Sequence, residues 1–588
     1  MKLRFLLGLC AFIWAYTGFS QGSYKPYFRY PLDSAVHLVS PFGSLRDNHF
    51  HSGIDLKTQE REGLPVYAAA NGYISRIKVA SNGYGRAIYI DHPNGFTTVY
   101  GHLQCYKGPI AQWILNHQYR IQSYNFDTVF KHPFIWVNKG DTIGLSGNSG
   151  GSTGPHLHYE IRETKTEEIW NPGLFGTFPN DSLKPKLYQL WAYSFLPDGN
   201  SPVLKIRVDE SKLTKIPGDN FHVPEILVSP DTLKLPEDVY GFGLLAFDFI
   251  HKPRDEKGLY EYGLIYRGKK KFGFKLNRFA FSESKFINQH IDYPWYKLNG
   301  QRIQKLFRDD NNPFSGIETD KSKGKLFIKE GMLDSVQVFV GDVNDNYSYY
   351  QFYLQGLPAN PKPREEYLFS KKDLPIWLPN SKNHFSIPGL KLESHSGTFY
   401  DTLYLNVETQ ARPKNALGPC FKVHESTTAI HKTFSIAIQA DAELPFPEKA
   451  ICLARVGKNN GLSYAGGTYK KGWVEGSQGS FGTFTVFYDT LAPTGKMLSY
   501  TRDSLPVFRW RIDDNFSGIG SYKIFLNGRW LAADFDAKND LLIYAADHIY
   551  AEEKQAAQLG LQKNKPRWKL ELNDNRGNTS VYEWETDW

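Results

Sequence analysis

The sequence predicts a mainly β protein, with one small antiparallel-sheet domain near the N-terminus followed by tandem β-sandwich modules. Three observations carry this reading. Short runs that alternate apolar and polar residues are separated by Asn-Gly and Gly-rich turns. Aromatic residues make up 15% of the chain and it holds 33 prolines, a composition suited to β domains with many turns. From about Leu183 the pattern becomes short β-type runs punctuated by Asp, Asn, Gly and Pro. At 588 residues the chain exceeds a single core, so three or four domains are expected.

The first element is not part of the fold. Lys2 and Arg4 precede an apolar run from Phe5 to Tyr16, and Gly18-Phe19-Ser20 supplies small residues, which reads as a secretory signal peptide over 1–20 cleaved after Ser20. Cys10 follows Leu9, too large a residue for lipoprotein-type cleavage, so no lipid anchor is expected. No later segment reaches the roughly 18 to 20 consecutive apolar residues of a membrane helix. Without Lys2 and Arg4, 67 basic residues stand against 61 acidic ones, a mature charge of +6. That weak excess suits an anionic cell envelope and leaves no nucleic-acid footprint.

The domain that follows opens with strands. Tyr73–Val79 alternates, Asn82-Gly83-Tyr84-Gly85 turns into Ala87–Ile90, and Asn94-Gly95 turns into Phe96–Tyr100, placing His102 just past a strand end. The stretch around Ile110 to Arg120 has a mixed apolar pattern that makes a short helix.

Histidines carry the chemistry here. His51 and Asp55 flank Gly53, His102 follows Tyr100-Gly101, and His156-Leu157-His158 closes the set. On a strand, residues two apart share a face, so His156 and His158 look into one cleft. Two imidazoles and a carboxylate hold a catalytic zinc ion with a fourth position open, and His51, Asp55 and His158 supply that set. Gly53 is expected to let the backbone bend so that both flanking side chains converge. The alternative glutamate base of an H-E-x-x-H helix is absent, since His424-Glu425 is followed by Thr428 where the second ligand belongs. The extra histidines therefore take the proton-handling role, in an order the sequence leaves open.

This set resembles the lysostaphin-type (LytM-like) zinc endopeptidases, which cut peptidoglycan cross-bridges. The resemblance covers roughly 36–175 and runs through Phe50–Asp55, Tyr100–Leu103, Lys139–Gly144, Gly147–Gly150 and Ser152–His158. It implies a duplicated hybrid sheet motif, one zinc ion per chain held by His51, Asp55 and His158, and His102 and His156 as the catalytic pair. The stretch from Leu103 to Val137 is longer than the family's usual connection. Gly147–Gly154 lacks the Gly-Lys-Ser/Thr ending of a phosphate loop and runs into Pro155. In the resembled family this loop flanks the groove, so Gly147, Asn148, Ser152 and Thr153 are expected substrate contacts.

The tail divides into a β-sandwich over 183–356, a β domain over 378–489 and an immunoglobulin-like module over 495–588, with Pro-rich linkers at Leu357–Pro363 and Leu491–Thr494. Asp310–Ile317 echoes Asp514–Ile519, and the turn Asp342–Asn346 echoes Asn573–Asn578. Asp342, Asn344 and Asn346 match the first half of an EF-hand loop, but Tyr347 and Tyr353 stand where its glycine and glutamate belong. Cys420 and Cys452 either pair in an oxidising compartment or stay as buried thiols.

The expected function is an exported zinc metalloendopeptidase of the periplasm or cell envelope acting on peptidoglycan peptide stems, with the β domains available to an envelope partner. The alternative is a non-catalytic envelope-binding or amidase-regulating protein that keeps the fold. If the tail serves only as a spacer, a chain ending near residue 180 holds every ligand and folds alone.

Overall fold

A computed structural model describes residues 27–33, 37–179, 181–195, 202–208, 214–216, 232–250, 256–360, 365–366, 370–500, 506–558 and 565–587. The signal segment 1–20 and Cys10 lie outside the described residues. Among these residues no helix is long and apolar enough to cross a membrane.

The protein is mainly β, as expected. Its N-terminal region is built on a ten-stranded antiparallel sheet. Seven strands run in the order β1-β2-β7-β5-β4-β3-β6: β1 Leu38–Ser40, β2 Ile54–Lys57, β3 Gly72–Val79, β4 Arg86–Asp91, β5 Phe96–Gly101, β6 Phe126–Val129 and β7 His156–Glu163. Strand β7 lies between β2 and β5, with His158 opposite both Asp55 and Gly101. That register brings the segments bearing His51, Asp55, His102, His156 and His158 to one end of three neighbouring strands.

The long connection after Leu103 contains helix α1, Gly108–Ile121, started by Pro109 and closed by Gln122 in the left-handed conformation. Ile110, Ile114 and Gln118 recur every four residues and form its buried face.

Gly53 is needed for a reason other than backbone bending. A Cβ there would sit 2.4 Å from the Tyr159 carbonyl oxygen and 2.8 Å from Glu160 Cγ, so glycine lets this loop press onto β7.

Strand β8, Ile169–Trp170, pairs with β7 and also with β9, Arg278–Phe279. The following region therefore extends the first sheet. Phe50, adjacent to His51, packs against Phe314 with ring centroids 4.7 Å apart and against Phe279 at 5.7 Å, and its N–H donates to Ser284 Oγ at 2.9 Å. One hydrophobic core runs from Phe28 to Leu354 through both regions. The residue preceding a metal-ligand candidate is thus buried by side chains more than 200 positions later, which bears directly on whether the first 180 residues stand alone.

Two further cores follow, one from Trp377 to Val486 between two five-stranded sheets and one around Phe508, Trp510, Tyr544 and Trp568 between two four-stranded sheets. Cys420 and Cys452 are buried free thiols on strands Cys420–Val423 and Ile451–Val456, held apart by strand Gly482–Tyr488, which pairs with both. They form no disulfide.

Candidate metal centre

Each candidate ligand is oriented by a second hydrogen bond. His51 is 6% exposed and its Nδ1–H donates to the Pro41 carbonyl at 2.9 Å, which leaves Nε2 as an electron-pair donor. Asp55 Oδ1 lies 3.0 Å from that nitrogen. His158 points Nδ1 to within 2.9 Å of Asp55 Oδ1 and 3.1 Å of His51 Nε2, while its Nε2–H donates to Glu160 Oε1 at 2.8 Å. The donor atoms of His51, Asp55 and His158 lie within 4.8 Å of one another, and all three residues are buried. Two imidazole nitrogens and one carboxylate oxygen, each backed by a fixed partner, fit a zinc ion with an open fourth position.

Charge in this pocket is balanced through β7. His156, His158, Glu160 and Arg162 alternate along the strand and share a face. Glu160 is wholly buried and accepts from Ser52 Oγ at 2.5 Å, Tyr84 OH at 2.7 Å and Arg162 Nε at 2.7 Å, besides His158. Burial opposes its charge, but Arg162 and His158 outweigh that and hold the carboxyl well below the usual range. For His158, burial opposes the charge, and the hydrogen bonds to Asp55 and Glu160 raise its pKa to about 9. Asp55 is likewise held low against its burial by His51, His156 and His158, and Arg46 Nη2 donates to its other oxygen at 2.9 Å.

Neither Glu160 nor Arg46 stands out from the metal-ligand spacing. The signal for Glu160 is the period-two continuation of His156-x-His158, which puts position 160 on the same face. Arg46 carries no comparable signal.

The two remaining histidines flank the ligand set. His102 has positive φ, +59°, just after β5, and its ring centroid lies 4.8 Å from that of His156 and 5.8 Å from that of His158. Its Nδ1–H donates to the Ser149 carbonyl at 2.8 Å. Burial, reinforced by His158 and His156, lowers its pKa to about 3, so the ring is neutral with Nε2 unprotonated. His156 donates from Nδ1 to the Gly154 carbonyl at 2.8 Å and keeps Nε2 3.4 Å from Asp55 Oδ1. One loop, 147–154, thus sets the orientation of both rings.

That loop is arranged differently from a row of groove contacts. Gly147 is buried, and a Cβ on it would lie 2.3 Å from the Gln104 backbone nitrogen. Ser152 is 3% exposed, with Oγ 3.1 Å from His156 Nδ1. Only Thr153 among the four expected contacts is exposed. The Asn148 carbonyl accepts from Lys538 Nζ at 2.6 Å, and the Ser152 carbonyl accepts from the same nitrogen at 3.0 Å. Lys538 belongs to the last pair of sheets, which also meets the first domain through an Arg86–Asp534 ion pair and through Tyr119 of α1, bonded to Asp547 and packed edge-on to Trp530. The inserted helix is where the C-terminal module docks.

Known proteins share the part of the chain that builds this site. The model of peptidase family M23 matches residues 49–118 and 114–172, and a Zu5-like domain model matches 376–489. An uncharacterized metalloprotease of Haemophilus influenzae is 32% identical over 143 residues, which is 23% of this chain and 25% of that protein. The DD-carboxypeptidase/endopeptidase Mpg of Neisseria meningitidis is 35% identical over 132 residues, 22% of this chain and 24% of its own length. The peptidoglycan DD-endopeptidase ShyA of Vibrio cholerae is 29% identical over 144 residues, 23% of this chain and 27% of its own. The match thus spans about a quarter of each relative. With the sheet order, the donor set and these matches together, the N-terminal region of the chain is a peptidase family M23 domain of the LytM and lysostaphin type.

Proposed function

We propose that this protein is a zinc metalloendopeptidase, exported to the cell envelope, that hydrolyses peptide cross-links of peptidoglycan. The observation that carries the reading is the pairing of two kinds of histidine. His51 and His158 each turn one nitrogen toward Asp55. His102 and His156 each tie Nδ1 to a backbone carbonyl, and His156 Nε2 lies 3.4 Å from Asp55 Oδ1. Zinc held by His51, Asp55 and His158 supplies Lewis-acid polarisation of a carbonyl and lowers the pKa of water. The chain's own residues handle protons: the Nε2 atoms of His102 and His156 accept a proton from water and return one to the leaving amine. The Ser149 and Gly154 carbonyls fix the tautomers that make this possible. The similarity to ShyA, a peptidoglycan DD-endopeptidase, and to Mpg, a DD-carboxypeptidase/endopeptidase, supports peptidoglycan as substrate class.

The test is digestion of cross-linked muropeptide dimers by the zinc-loaded full-length protein, with products weighed by mass spectrometry. Release of monomers is expected. Folded, zinc-loaded protein that binds sacculi and leaves the dimers intact would overturn the proposal in favour of a non-catalytic envelope-binding role.

A further inference from the structure

The two echoing turns of the tail build the same object twice. In the turn after strand Leu333–Gly341, Asp342 Oδ1 accepts from the N–H groups of Asn344 at 2.8 Å and Asn346 at 2.9 Å, and Oδ2 accepts from Asn346 Nδ2 at 2.8 Å. In the turn after strand Arg567–Asp574, Asp574 Oδ1 accepts from Arg576 N–H at 2.7 Å and Asn578 N–H at 2.9 Å, and Oδ2 from Asn578 Nδ2 at 2.7 Å. The fourth position of each turn has positive φ, Asp345 at +64° and Gly577 at +77°. Each turn asparagine then reaches the chain entering its module: Asn346 Nδ2 donates to the Asp181 carbonyl at 3.0 Å and Asn578 Nδ2 to the Asp489 carbonyl at 3.2 Å.

A third aspartate completes each group from the end of another strand. Asp248 comes from strand Asp238–Phe249, and Asp514 directly follows strand Val507–Asp513. The carboxylates of Asp181, Asp248 and Asp342 approach within 4.8 Å of one another, as do those of Asp489, Asp514 and Asp574. Like charges this close repel strongly in a buried setting.

What points to a ligand is the oxygen left over in each group. Asp248 is 3% exposed and its Oδ1 is buried with no hydrogen-bond partner; Asp514 is partly exposed, and its Oδ1 is buried and unpartnered too. A buried carboxylate oxygen without a hydrogen-bond partner is costly, and a cation placed between the three carboxylates would satisfy it. Lys257 Nζ donates to the Val39 carbonyl, and the Arg576 guanidinium donates to the carbonyls of Lys449, Ile451 and Gly467. A cavity of about 10 Å³, the space of a single ion or water, opens between Phe42, Asn171, Asp248 and Asp342.

We infer that Asp181, Asp248 and Asp342 form one calcium site and Asp489, Asp514 and Asp574 a second, equivalent one. Three carboxylates with backbone carbonyls alongside, and neither imidazole nor thiolate, are the donors of a hard cation. Carboxylates gathered from three separate segments suit the flexible coordination of calcium better than the strict octahedron of magnesium. Each ion would join the strand entering a β module to a strand end and a hairpin turn, fixing the junction with what precedes. This is not an EF-hand, because the ligands come from three separated segments.

Calorimetric titration with calcium chloride tests this on the full-length protein, stripped of metal and resupplied with one equivalent of zinc. About two calcium ions per chain are expected, bound on the order of 10⁻⁴ M. Asp248→Asn and Asp514→Asn, which keep side-chain shape, should each leave one ion and together none, with zinc content and near-ultraviolet circular dichroism unchanged. No uptake by folded protein at about 10⁻³ M calcium, the upper range for extracellular modules, overturns the assignment. A stoichiometry untouched by either variant overturns it for that site, and equal binding of magnesium overturns the choice of ion.

Discussion

Glu160 offers the sharpest test of how the metal centre is held, because it joins the ligand shell to the core of the sheet. Glu160→Gln keeps the shape and removes the charge. It leaves His158 Nε2–H an amide oxygen to donate to, but it strips the carboxylate that backs the imidazole and the partner of Arg162, whose Nη2 lies 2.6 Å from Glu160 Oε2 at 4% residue exposure. Loss of a carboxylate behind a ligating histidine costs roughly 10- to 100-fold in metal affinity, about 1.4 to 2.7 kcal/mol. The orphaned guanidinium costs about 3 to 5 kcal/mol of fold stability by the usual scale for a broken buried pair. The lower end is expected here, since Arg162 also lies 4.6 Å over the Phe281 ring and 5.3 Å over that of Tyr89. Zinc affinity by chelator competition and stability by urea unfolding read the two effects separately. Adding Arg162→Leu should recover stability without recovering zinc affinity. Unchanged zinc affinity in folded Glu160→Gln would refute the idea that Glu160 acts through His158.

Four further outcomes follow from the same geometry. His158→Ala should abolish stoichiometric zinc binding while exposed His395→Ala leaves it intact, as measured by metal analysis of the purified proteins; equal zinc in both would remove His158 from the ligand set. His102→Ala and His156→Ala should retain zinc and lose cleavage of a soluble cross-linked peptide by about 100-fold or more, and a wild-type rate in either would strip that residue of its role. Lys538→Ala should keep zinc and slow the same reaction about fivefold, the equivalent of about 1 kcal/mol of loop placement, whereas a faster enzyme would mean that the C-terminal module covers the groove. His290, buried among Phe50, Phe272 and Phe274, has its pKa lowered to about 3 by burial and Lys305, against about 6.5 unfolded, so its contribution is full above pH 6.5 and lost as pH falls toward 3. Between pH 6.5 and 5 that ring should cost about 2 kcal/mol, and His290→Leu should flatten the pH slope of urea stability by this amount; identical slopes would refute it.

The cluster of His51, Asp55 and His158, which could hold a metal, was legible in the sequence because its residues obey local rules. His156 and His158 are two apart on β7, and Asp55 lies four residues from His51. What supports them was less so. Arg46 and Pro41 reach the site through loop geometry that no periodicity encodes. Gly53 and Gly147 drew attention as flexible or open positions, yet both serve close backbone approach, a property of the neighbouring strand. The turns at Asp342 and Asp574 echoed each other in sequence, but only the fold brings Asp181 and Asp489 to them. The shared core at Phe50 escaped for the same reason, since an aromatic residue in a strand names neither its partner nor its distance along the chain.

The Arg86–Asp534 pair spans 448 positions and has a bearing on when the protein becomes complete. Arg86 sits in one of the first strands to be synthesised; burial opposes its charge, but Tyr124 and Asp534 outweigh that and keep the guanidinium protonated. At about 5 to 20 residues per second, roughly 20 to 90 s separate the appearance of Arg86 from that of Asp534. Lys538, which steadies the loop behind both proton-handling histidines, arrives with it. A nascent or truncated chain therefore holds the candidate site residues without the contacts of Lys538 to the loop beside them. The site's surroundings are complete only once the final module has closed on the helix inserted into the first.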